Sequence, residues 1–117
     1  MRYDIPERYE YLPISQDDLP VTLSIDIDGI PLLLTFRYND QGDFYTLEIA
    51  DENENLLIAQ KVTYGKDLLS GLKSLLAITT KLIPLDVGYE KQENASGDRR
   101  VGIDTFGKNV ELVVLRG

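Results

Sequence analysis

With 117 residues, 43% of them hydrophobic and 27% charged, the chain has the size and composition of one globular domain with its own core. It contains no cysteine and no histidine, which excludes disulfides and thiolate metal sites and removes the commonest general base and metal ligand. A net charge of −8 argues against a protein that grips nucleic-acid phosphates. The start mixes Arg2, Asp4, Glu7 and Arg8 and has none of the apolar stretch of a signal peptide. No apolar run approaches the ~20 residues that span a bilayer. The expectation is therefore a soluble chain made in the cytoplasm, with neither nucleic acid nor membrane as partner.

Residues 1–20 hold Pro6, Pro13 and Pro20, with Tyr3, Tyr9 and Tyr11 between them. Proline lacks a ladder donor, so this segment reads as an extended N-terminal arm, with residues 21–117 as a single β-rich domain. Disordered tails are poor in aromatics, so the arm is expected to pack on its own domain or on a neighbouring subunit.

Strands follow. Val21, Leu23, Ile25 and Ile27 alternate with polar residues, and Asp28-Gly29 is a hairpin signal because Gly tolerates positive φ. The return strand carries Ile30, Leu32, Leu34, Phe36 and Tyr38 on one face. After the turn Asn39 to Gly42 a third strand runs from Phe44 to Ala50, and after Asp51 to Asn55 a fourth from Leu56 to Tyr64. Gly65 breaks the pattern. Asp67 is a candidate cap for one short helix bearing Leu68, Leu69, Leu72, Leu75 and Leu76, weakened by Gly71. Leu82 to Val87 reads as a strand placed at an edge or bulge by Pro84, and Gly88 to Asp98 as a long polar loop. Val101 to Ile103 and Val110 to Leu115 close the domain as strands. The predicted fold is mainly β, a small antiparallel barrel or sandwich built as a meander of hairpins.

Charge is unevenly spread. Residues 1–60 carry 3 basic and 13 acidic side chains, a net of −10, whereas residues 61–117 carry 9 and 7, a net of +2. Solvation alone accounts for this; the alternative is an acidic and a basic side that favour head-to-tail contacts in a ring.

Chemical motifs are weak. Asp51 to Asn55 imitates the first half of a calcium loop, but Leu56 and Val62 stand where that loop needs Gly and Glu, so a solvated turn is expected. Asp26 and Asp28 share a strand face and invite comparison with paired catalytic carboxylates, yet beside a hairpin turn they read as solvent-facing charges. Gly65-Lys66 lacks the rest of a P-loop. Arg99-Arg100 suits a phosphate or a partner's carboxylate, or is an ordinary charged loop. No set of residues supplies nucleophile, base and oxyanion donors, so no catalytic, cofactor-binding or metal residue is assigned and no enzyme activity is expected.

Several pieces, in order, carry a resemblance. Phe36-Arg37-Tyr38-Asn39 is followed by Asp43-Phe44-Tyr45-Thr46-Leu47, then Val62-Thr63-Tyr64-Gly65, Asp67-Leu68-Leu69 and Ile83-Pro84-Leu85-Asp86. Phe106-Gly107 and Val110-Glu111-Leu112-Val113-Val114 close the series. In this order and spacing the chain resembles the small baseplate plug proteins of contractile-tailed phages, prophages and tailocins, from Leu12-Pro13 or Leu19-Pro20 to the end. Departures are the absence of a Gly within Asn53-Glu54-Asn55, a longer stretch from Gly88 to Asp98, and the Tyr-rich arm before Leu19.

The resemblance implies a non-enzymatic virion protein of the tail baseplate, present in the host cytoplasm during assembly. Implied partners are the hub or spike, the tail tube or sheath-initiator proteins, and further copies of the chain around the tail axis. Tyr3, Tyr9, Tyr11, Arg99 and Arg100 are the interface candidates, since aromatic and Arg anchors often carry such contacts. The alternative is a tail-assembly chaperone or binding module that does not stay in the particle.

Overall fold

A computed structural model describes residues 5–15, 17, 19–90 and 101–116. Seven strands lie among them, in two antiparallel sheets that face each other as a sandwich and do not close into a barrel. The larger sheet is the meander anticipated from the alternation: β2 (Val21–Ile27), β3 (Ile30–Asn39), β4 (Phe44–Asp51) and β5 (Leu56–Lys61), paired in chain order. The smaller has the order β1 (Glu10–Leu12), β7 (Glu111–Leu115), β6 (Lys81–Leu85), so the segment between Tyr9 and Pro13 adds an edge strand to the last strand of the chain.

The core lies between the sheets. Ile27, Leu32, Leu34, Phe36, Leu47 and Ile49 from the larger sheet meet Leu82, Leu112 and Val114 from the smaller, and Phe106 packs tilted against Phe36 and edge-to-face with Tyr45. The smaller sheet also has a second packed side. There Ile83, Leu85 and Val113 lie beneath Ile5 and Val87, with Tyr9 and Tyr64 packed against them.

Four elements differ from their sequence reading. The strand expected to reach Tyr64 stops at Lys61, because the chain turns at Tyr64-Gly65 to lie along β6. There Gly65 N donates to Pro84 O and Leu68 N to Leu82 O, which occupies the outer edge of β6. The helix over Leu68 to Leu76 is instead a 3₁₀ turn (Ser70–Leu72) and one α-turn, α1 (Lys73–Leu76). Gly71 sits against Ile58, and Ala77 ends the turn at φ 54°.

The strand expected to reach Val87 ends at Leu85, and a second helical turn, α2 (Val87–Glu90), occupies the start of the expected loop; residues 91–98 lie outside the described set. Val101 to Ile103 is a turn, not a strand. Gly102 N donates to Thr105 Oγ1 while Thr105 N and Phe106 N return to Gly102 O, and Ile103 N goes to the Asp43 carboxylate rather than to a ladder.

Candidate interaction surface

Three of the five interface candidates, Tyr3, Arg99 and Arg100, lie outside the described residues. The structure places Tyr9 and Tyr11 together on β1 and the residue before it, with ring centroids 6.0 Å apart. They have different environments. Tyr9 Oη donates to Glu111 Oε1 at 2.6 Å, and this bond raises its phenol to about 12. Tyr9 therefore fastens the strand's approach to β7. Tyr11, opposite Val113, is 50% exposed and rims a hollow of about 200 Å³ floored by Leu12, Pro13, Ile14 and Leu112, with Glu111 in its wall. Gly107 belongs to the same hollow, and its backbone passes so near Ile14 O that a Cβ would stand 2.7 Å away.

Arg116 was not singled out in the sequence, yet it joins three elements. Its guanidinium donates to both Glu10 carboxylate oxygens, at 3.0 and 2.9 Å, and to Asp26 O at 2.8 Å. The pairing holds the Glu10 carboxyl below its usual range. It also covers one outward carbonyl on the free edge of β2, a common way to blunt a strand edge. No sequence spacing marks a bond between residues 10 and 116; the antiparallel pairing of β1 with β7 brings them together, and the packing of the two sheets adds Asp26 O.

The carboxylates considered for chemistry serve the backbone. Asp28, at φ 54° in the β2–β3 turn, accepts from Thr80 Oγ1 at 2.6 Å and from the Thr79 and Thr80 amides at 2.8 and 3.1 Å. These bonds hold its carboxyl at about 2, below the usual 3.8. Asp26 Oδ1 accepts from Gly29 N, closing the same turn. Asp51 accepts from the Asn55 and Asn53 amides and the Asn55 side chain, so the calcium-like run is a closed hairpin turn.

Asp86 starts α2 by accepting from Tyr89 N. Its own N–H donates to Tyr64 Oη, which donates to Glu90 Oε2 at 2.7 Å. Burial and then the Glu90 bond push the Tyr64 phenol up. Asp67 ties two backbones at once, accepting from Leu69 N and Leu82 N while Lys73 stands 3.2 Å away.

Among the described residues, no three His, Cys, Asp or Glu side chains gather as a metal site, and no helix is long and apolar enough to cross a membrane. The surface carries three exposed large apolar side chains among the described residues, Tyr11, Leu56 and Leu75, and the ion pairs Arg37–Glu48 and Arg116–Glu10.

The family model described as cyanophage baseplate Pam3 plug gp18 matches residues 9–117, which takes in β1 with Tyr9 and Tyr11. No curated protein and no solved structure matches.

Proposed function

The chain belongs to the cyanophage baseplate plug family, a structural component of the phage tail, and from that premise we propose how it acts there. It sits on the tail axis near the central hub and spike and works by protein–protein contact, without catalysis. Its neighbours are the hub or spike, tail tube or sheath-initiator proteins, and other copies of itself. The family match over residues 9–117 is the observation that carries this reading. The Tyr11 side chain and the hollow beside it are the first contact surface, because a half-exposed aromatic over an apolar floor loses water on docking at little conformational cost. Tyr3, Arg99 and Arg100 extend the candidate surface by sequence.

The test is mass spectrometry of purified intact tails, where the chain is expected at a fixed ratio to the hub. Co-purification with tail proteins before assembly but absence from finished tails would instead establish an assembly chaperone. Removing residues 1–12 would strip β1 and buried Ile5 from the smaller sheet, so the surface is better tested by substitution. Tyr11→Ala is expected to lower incorporation about tenfold, as loss of an aromatic anchor does, while leaving the melting temperature of the isolated protein nearly unchanged. Normal incorporation of that variant would remove Tyr11 from the interface.

A further inference from the structure

Among the described residues nothing covers the outer face of the larger sheet, and that face breaks the rule that an antiparallel sheet shows polar side chains to water. The register puts Leu33 opposite Ala50 and Ala50 opposite Leu56, so three apolar residues far apart in sequence form one row across β3, β4 and β5. Leu56 is 61% exposed. Its position is set by a bulge: the register shifts at Ile49/Ala50, Leu57 turns to the core, and Leu56 is left outside. The row floors a concavity of about 250 Å³ whose other walls are Thr22, Thr35, Glu48 and Glu54. Its lining holds two carboxylates and no cation.

Glu48 already meets Arg37 at 3.3 Å. Glu54 makes no ion pair among the described residues and stands at φ 64°, a left-handed conformation that costs a residue with a Cβ. Glycine would relieve that cost; the glutamate keeps a negative charge at the rim of the apolar row.

We propose that this face is a second docking surface, for a segment of a different tail protein that is aliphatic at its centre and carries Lys or Arg at its edge. The inference rests on the baseplate reading and adds a partner of stated chemistry on the side of the sandwich away from Tyr11. An apolar centre inside a polar rim is the anatomy of a protein interface. The acceptors at the rim, Glu54 above all, call for a basic occupant. The β2 and β6 edges are partly taken, by Arg116 on Asp26 O and by Gly65 and Leu68 on β6, whereas the surface proposed here is the flat face.

The chain contains no cysteine, so Ala59→Cys, next to Glu48 in register on this exposed face, gives a single thiol for cross-linking in assembled tails. A thiol-to-amine cross-linker is expected to join it to a different tail polypeptide, on a peptide bearing lysine. Leu56→Asp and Glu54→Lys are each expected to lower incorporation about tenfold, with the melting temperature of the isolated proteins within a few degrees of wild type. Cross-linking to a second copy of this chain, no cross-link at all, or wild-type incorporation of both variants would overturn the proposal. Absence of the wild-type chain from tails would overturn the baseplate reading itself, and that result appears before any variant is made.

Discussion

The smaller sheet is packed on both faces, whereas the larger is packed on one. In β7, Leu112 and Val114 point into the core between the sheets while Val113 is equally buried on the other side. In β4, Tyr45, Leu47 and Ile49 are buried, and the residues that alternate with them, Thr46, Glu48 and Ala50, reach the surface. A strand covered twice is intolerant of polarity anywhere along it. A strand covered once has a free side whose composition can be given over to contact.

A matched pair of substitutions gives the widest separation. Val113→Asp places an unpaired carboxylate where both neighbours and cover are apolar, and it should cost about 3–5 kcal/mol or prevent folding. Leu56→Asp makes the same chemical change on the other sheet's outer face and should cost less than about 0.5 kcal/mol. Urea unfolding of the two variants reads this directly, and similar losses would mean that the larger sheet's outer face is covered too.

Gly102→Ala tests how the loop after residue 100 is held to the larger sheet. A Cβ there would stand 2.6 Å from an Asp43 carboxylate oxygen, while that carboxylate is fixed by bonds from Tyr38 Oη and Ile103 N. Crowding of this kind costs about 1–3 kcal/mol. The release of Tyr38 should show as a fall of its phenol pKa from about 12 in a spectrophotometric titration, since the bond to Asp43 is the main cause of its rise.

Glu54→Gly should have a smaller effect and of opposite sign. Removing the Cβ at φ 64° relieves strain of about 1 kcal/mol, partly offset by the greater freedom of glycine in the unfolded chain. A net gain in denaturant midpoint is expected, together with weaker docking. A loss of stability would show that the glutamate supports the fold.

The last test concerns the tie between the two sheets. Asp28 has a folded-state pKa lowered to about 2, so its contribution is complete above the unfolded value near 3.8 and is lost as pH falls through about 2. Asp28→Asn should therefore flatten the acid limb of the stability profile between about pH 4 and pH 2. An unchanged limb would mean that the Thr79–Thr80 contact does not bear on folding.

Much of this architecture was legible in order along the chain. The alternation of Val21 to Ile27 and Ile30 to Tyr38, with Asp28-Gly29 between them, specifies a hairpin because a period of two and a turn tolerant of positive φ are both local properties. The edge position of Pro84 follows from its missing N–H. Tyr11 could be named as a contact candidate from its arm, but nothing local distinguishes it from Tyr9, which a bond to Glu111, 102 positions away, commits to the fold.

What the amino-acid order determined by itself was the strand meander, the absence of thiol and imidazole chemistry, and the acidic first half, because each depends on residue type and near neighbours. The tertiary structure alone decided which outer face the described residues cover and which they leave open. It also decided that Leu56, which strict alternation back from Ile58 would send inward, stands outside beside Ala50 and Leu33. The physical reason is that a single bulged residue reverses every side chain beyond it, and register is fixed by pairing across strands rather than by any stretch of one strand.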